Sequence, residues 1–313
     1  MANIHQFGLD VGIYGPLAEP GTITELAQFA EAAGFDSIWL ADHVVFPASF
    51  DSRYPFSATG DFPVTTSDPL LEPIAAMGVL TGVTKRIRIG TAVLIIPYRN
   101  PLLLARMLIT IDQFSNGRVI LGAGVGWLKE EFEALDTADF TLRGKVTDEY
   151  LEIFKAMCSG GEVSFAGETY RFAPVYSMPG SVQKPHPPIL IGGVSNPALR
   201  RVVRHGSGWL AVSLGAAQIP ERISTLKRIS EEVGRSFDDL DMVYKLFINP
   251  GEPKPGPFGG RDPGSGSEAQ IIDDLKMILD SGFESVVVRY RGDSAGAQME
   301  QMERFANDIV PKL

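Results

Sequence analysis

Asp42 and His43 leave the end of a buried apolar stretch, Phe35 to Ala41, and there a histidine is well suited to moving a proton. Its ring titrates near neutrality, so a small shift in surroundings makes it an acid or a base. From sequence alone a structural histidine with satisfied hydrogen bonds would look the same. The other histidines are weaker candidates: His5 opens a strand, His186 lies among prolines, and His205 ends a helix whose dipole would welcome a cation. No HExxH and no paired Cys/His spacing occurs, so no dedicated transition-metal site is expected.

A second chemistry is signalled by Gly192-Gly193-Val194-Ser195-Asn196-Pro197. Glycines after a strand, a hydroxyl and an amide near the cap and a proline in the first turn expose backbone N–H groups at the positive end of a helix, where a phosphate binds. Lys184, Arg200, Arg201 and Arg204 are close in sequence, although a solvated basic helix face would carry the same residues. Gly122, Gly124 and Gly126 alternate at another strand end, which lets a flat ligand approach the backbone or simply turns the chain into a helix. They are not the dinucleotide fingerprint, because the third glycine comes one residue early. Glu130 and Glu131 follow within a turn, in position to face a ligand or to cap and solvate the helix.

These residues need a scaffold that brings several strand ends together. Hydrophobic patterning predicts eight strands: His5–Leu9, Phe35–Ala41, Ile87–Ile95, Arg118–Ala123, Ile189–Ile191, Trp209–Ser213, Met242–Ile248 and Ser285–Arg289. Helical patterns alternate with them, one opened by a capping box at Thr22 to Glu25, another by Asn100-Pro101. Apolar strands need cover on both faces, which favours a closed (β/α)8 TIM barrel over an open doubly wound sheet. Three segments fall outside the rhythm: 44–70, 156–187 and 249–267, the middle one containing a hairpin near 163–172. Without them about 235 residues remain, close to the roughly 250 of one barrel, so residues 1–313 read as a single domain with insertions. The first and last insertions follow strands two and seven and so belong at the C-terminal mouth, where barrel active sites lie. Pro250 to Ser267, with five Pro and six Gly, reads as a mobile lid.

Composition narrows the partners. With 28 basic and 38 acidic side chains the net charge is −10, which argues against a nucleic-acid surface. No apolar run approaches the roughly 18 residues of a membrane helix. A single cysteine and the lack of a signal-peptide pattern point to the cytoplasm. A small-molecule substrate is expected.

Five stretches in order, AEAAGFDSIWLADHVVFP from Ala30, RIRIGTAVLIIPYRNPLLLA from Arg86, IDQFSNGRVILGAGVGWLKEEFEALD from Ile111, PPILIGGVSNPALRRVVRHGSGW from Pro187 and GSGSEAQIIDDLKMILDSGFESVVV from Gly264, resemble the luciferase-like monooxygenase superfamily, particularly its branch using the deazaflavin F420. The resemblance covers nearly the whole chain. It implies an F420-dependent oxidoreductase that transfers a hydride to or from a small organic substrate. His43 would act on the proton and Asp42 would contact the coenzyme. A non-prolyl cis peptide at Ala92-Val93 would form a bulge behind the ring, and Gly192, Gly193 and Ser195 would hold the phosphate. Glu130 is a further candidate beside the cofactor. A monooxygenase using reduced FMN, on the same fold, and a non-catalytic cofactor-binding protein are the alternatives. The branch's sugar-phosphate dehydrogenases place a catalytic glutamate where this chain has Trp127, which argues against glucose 6-phosphate as substrate. Tyr54, Phe56, Phe62, Trp127, Tyr176 and Phe258 are candidates to line an apolar pocket. The resemblance also implies a homodimer.

Overall fold

The computed structural model describes residues 5–62, 65, 67–290 and 294–313. Eight parallel strands, Gln6–Asp10, Ser37–Leu40, Arg88–Thr91 resumed at Leu94–Ile95, Val119–Gly124, Ile189–Gly192, Gly208–Val212, Asp241–Pro250 and Ser285–Tyr290, pair in sequence order. Strand one pairs with strand two (Gly8 with Ser37) and with strand eight (Gly8 with Val287), so the sheet closes into a barrel. The open sheet is thereby excluded.

The strands are buried on both faces, as their uninterrupted apolar runs require. Inside the barrel, Trp39, Ile120, Leu190, Leu210, Val243 and Val287 form one packed layer with Ala92. The larger core lies between the sheet and the surrounding helices. Asn100 opens the helix Pro101–Ser115 as expected, its side chain accepting from Leu102 N and Leu103 N. The first helix departs from expectation: it runs Pro20–Ala32, and Thr24 turns its hydroxyl back on Pro20 O and Gly21 O. Pro20, with φ already helical, starts the helix ahead of Thr22, so no capping box forms at Thr22–Glu25.

The first insertion covers the barrel mouth. The second contains an antiparallel hairpin, Gly161–Ala166 with Arg171–Ser177, longer than expected and lying outside the barrel. Its tip and base are fastened to the helix Pro101–Ser115 and its cap, by Asn100 Nδ2 to Tyr170 OH at 2.8 Å and Arg106 Nη2 to Ser177 Oγ at 2.7 Å. The third, whose composition suggests a mobile lid, is tied to the body of the barrel. Asn249–Pro250 pairs with Ser265–Gly266, Lys254 N donates to Ser265 Oγ, and Arg261 grips Asp274 with both terminal nitrogens. That ion pair and ladder hold the segment against the helix Glu268–Asp280. Among the described residues no helix is long and apolar enough to cross a membrane.

Candidate active site

His43 lies just past strand two, 5% exposed, at the mouth. Its Nδ1 is 2.6 Å from Glu131 Oε2. Glu131 sits in the short helix Lys129–Ala134 that follows strand four, and is wholly buried. Its Oε2 also accepts from Tyr98 OH at 2.9 Å, while Oε1 accepts from Val44 N at 2.7 Å and Val45 N at 3.2 Å. A carboxylate acting only as acceptor fixes a neutral ring as the Nδ1–H tautomer, so Nε2 is left as the basic nitrogen. Burial, and then the neighbouring Glu131 charge, push the Tyr98 phenol far above its ordinary pKa, which keeps it a donor.

Aromatic rings surround the imidazole. Phe46, Phe62, Tyr14 and Trp127 have centroids 4.8, 5.1, 5.8 and 6.1 Å from it. Tyr54 joins Phe62 and Trp127 at 5.1 and 5.2 Å, and Phe56 stands behind Tyr54 at 5.8 Å. Thus Tyr54, Phe56, Phe62 and Trp127 form one packed cluster beside His43. Tyr176 does not join it; it is 77% exposed on the outer hairpin. Phe258 stands in the third insertion, where its carbonyl accepts from Gln218 Nε2.

Asp42 faces elsewhere than His43. Its Oδ2 accepts from Ile95 N at 2.8 Å and from Arg99 Nη1 at 2.7 Å, and its Oδ1 from Arg99 Nη2 at 2.9 Å. Arg99 also holds Glu72. Burial raises the Asp42 pKa although Arg99 lowers it. Both oxygens are committed within the protein and brace strand two against the segment after strand three. Glu130 is engaged through one oxygen: its Oε1 accepts from Asp51 N at 2.9 Å and Ser52 N at 3.2 Å, tying the first insertion down, while its Oε2 is buried without a partner among the described residues.

The Ala92–Val93 peptide is cis. The Ala92 carbonyl accepts from Lys245 Nζ at 3.0 Å. Val93 projects between two glycines. A Cβ on Gly124 would lie 2.3 Å from Val93 Cγ2, and one on Gly192 would lie 2.5 Å from Val93 Cγ1. These glycines therefore make room for Val93, a purpose the bare sequence pattern does not reveal. Gly193 has φ 108° and passes its carbonyl to Trp209 Nε1 at 2.7 Å. Ser195 caps the helix Asn196–His205, accepting from Ala198 N. Pro197 has no N–H and Ala198 N is taken by the cap, so Asn196 N is the donor of the first turn without a partner in the helix, at the mouth end of strand five. Of the neighbouring cations, Arg201 is turned to Asp148 and Gly144 O. Lys184 precedes strand five and so lies toward the opposite end of the barrel. Arg222, which the sequence did not single out, reaches the pocket's helix at Asn196 Oδ1, 3.1 Å.

The glycine turn, the helix start and Val93 thus form a site whose donors suit an anionic group on a planar cofactor. The sequence reading named Glu131 only together with Glu130, and it missed Asp10, Lys245 and Arg289. Their signal was a charge inside an otherwise apolar buried strand. A separate cavity of about 400 Å³, lined by Trp39, Arg88, Asp241 and Phe283 among others, opens at the N-terminal end of the barrel. That end carries stability rather than chemistry in such barrels.

A profile described as luciferase-like monooxygenase matches residues 4–253. An uncharacterized protein of Mycobacterium tuberculosis is 28% identical over 92% of this chain and 94% of its own length. The F420-dependent glucose-6-phosphate dehydrogenase of Amycolatopsis mediterranei is 26% identical over 74% of this chain and 65% of its own. The FMNH2-dependent dimethylsulfone monooxygenase of Pseudomonas putida is 29% identical over 59% and 46%. Among solved structures, an F420-dependent secondary alcohol dehydrogenase superposes with TM-score 0.79 at 16% identity, covering 98% of both chains. A long-chain alkane monooxygenase gives 0.78 at 15% identity, covering 100% of this chain and 92% of that one.

Proposed function

The chain belongs to the luciferase-like monooxygenase family, and on that premise we propose that it is an F420-dependent oxidoreductase that moves a hydride to or from a small organic substrate. The observation that carries this reading is the His43–Glu131 pair, a buried carboxylate fixing an imidazole at the mouth. When bound, the deazaflavin would supply the hydride chemistry. Val93 and the Ala92 carbonyl would back its ring, and Gly192, Gly193 and the Ser195-capped helix would take its phosphate. His43 Nε2 accepts or returns the proton that accompanies hydride transfer, and Glu131 holds the ring in the competent tautomer and stabilises it when charged. Phe46, Phe62 and Trp127 exclude water from the imidazole. The molecule acts as a homodimer in the cytoplasm.

A relative that uses reduced FMN supports a second reading, a monooxygenase in which the same water-excluding rings protect an oxygen-reactive flavin. Anaerobic titration with each cofactor separates the two. Micromolar F420 binding, with FMN at least tenfold weaker, is expected. FMN binding without F420 binding would overturn the first reading in favour of the second.

A further inference from the structure

On strands one, seven and eight, beside the strand that leads to His43, two cations share one carboxylate. Asp10 ends strand one, Lys245 lies on strand seven and Arg289 on strand eight. Lys245 Nζ is 2.6 Å from Asp10 Oδ2, and Arg289 Nη1 donates to Asp10 Oδ1 at 3.2 Å. Among the described residues Asp10 is the carboxylate paired with both. Burial would raise the Asp10 pKa, yet the two cations more than offset it and hold the carboxyl below its ordinary value. Burial and the Arg289 charge lower the Lys245 pKa although Asp10 raises it, whereas at Arg289 burial is outweighed, chiefly by Asp10, and the pKa rises, so Arg289 is the firm cation of the cluster and the one placed to meet a further anion.

The two cations are not equally available. Lys245 is spent on Asp10 and on the Ala92 carbonyl, with 9% of its side chain exposed. Arg289 keeps 18% exposed, and among the described residues its hydrogen bonding is the one bond to the carboxylate, which leaves much of the guanidinium fork for another acceptor. It stands 5.2 Å over the ring of Tyr14, which also packs against His43, Phe46 and Phe62. Gly12 keeps this place open, since a Cβ there would fall 2.6 Å from Arg289 Nη2. One end of the aromatic enclosure is thus a planar cation and the other is the proton-handling imidazole.

We propose that Arg289 anchors the substrate and that the substrate is a planar, aromatic or conjugated carboxylate: the fork takes the carboxylate, and Tyr14, Tyr54, Phe62 and Trp127 take the flat apolar part. This rests on the oxidoreductase reading only in calling the ligand a substrate. Its test is therefore binding to the cofactor-free protein, which stands or falls whichever cofactor is used. Benzoate and benzamide share a ring and differ in charge, and Trp127 in the wall reports binding through its fluorescence. In the wild type, benzoate should bind at least tenfold more tightly than benzamide. Arg289→Gln should abolish that preference, and Arg289→Lys, which keeps the charge but loses the fork, should retain only part of it without weakening benzamide. Equal binding of the two probes by the wild type overturns the proposal. So does an undiminished preference in Arg289→Lys, should Arg289→Gln fail to fold. It is also overturned if Arg289→Gln weakens F420 or FMN binding tenfold while benzoate is unaffected, because the cation then serves the cofactor.

Discussion

A neutral histidine takes its tautomer from the partner of its other nitrogen, and at His43 that partner is a carboxylate with no proton to give. Gln has the shape of Glu but carries an amide donor. In Glu131→Gln the amide oxygen can keep Val44 N and Val45 N while the NH2 faces Nδ1, so the ring must move its proton to Nε2. The expected result is a switch of neutral His43 from Nδ1–H to Nε2–H in 15N spectra of histidine-labelled protein, with turnover reduced about 10²–10⁴-fold. An unchanged tautomer would show that Glu131 does not set it. Asp10 gives a pH prediction. Its folded pKa lies below the unfolded 3.8, so its stabilisation is fully present above that value and is lost as the pH falls through the lower folded pKa. Asp10→Asn should cost about 3–5 kcal/mol near neutrality, since it strands two buried cations. In denaturant titrations its deficit against wild type should narrow below pH 3.8; a deficit independent of pH would contradict this. At this scale the sequence showed Asp42-His43 but favoured Glu130 beside the cofactor. Adjacent helix residues point about 100° apart, and a helix start uncertain by one or two residues cannot tell which glutamate faces inward.

Elements were legible where the period was long and uninterrupted, and less so where a local device decided the outcome. All eight strands were readable because a barrel strand is apolar throughout, but Pro20 moved the start of the first helix and Arg261–Asp274 pinned a segment whose composition suggested mobility. The alternating glycines after strand four are another such device. Gly124 serves Val93, which sits in the break of strand three and reaches over strand four toward Gly192 on strand five, and no pattern within strand four could have shown that. The fit of strand against strand is testable. Gly192→Ala places a methyl where Val93 Cγ1 already is, and overpacking of this kind costs about 1–3 kcal/mol. Val93→Ala in the same chain should recover most of that loss, giving a coupling energy of at least about 1 kcal/mol in a double-mutant cycle measured by denaturant unfolding. Simple additivity of the two changes would mean that Val93 does not fill the notch.

For the whole molecule the net charge is −10, yet the charge is unevenly spread. The helix Pro73–Val83 carries no charged residue, and Ala75, Gly78, Val79 and Gly82 face outward from it. The helix Pro101–Ser115 packs beside it and exposes Leu103 at 57% and Phe114 at 81%. Those two residues are eleven positions apart, three helical turns, and so share a face. A face that is apolar, free of charge and small enough at Gly78 and Gly82 for close helix contact suits a second copy of itself about a two-fold axis. It lies on the outer ring of the barrel, away from His43, so its loss should leave the cofactor site intact. Val79→Glu would place a carboxylate against its symmetry mate in the centre of that contact, where an unpaired buried charge is strongly unfavourable. Sedimentation should therefore give about twice 33.9 kDa for the wild type and 33.9 kDa for the variant, with cofactor affinity changed less than threefold. A wild type that sediments as a monomer, or a variant that remains dimeric, would place the dimer contact elsewhere or remove it altogether.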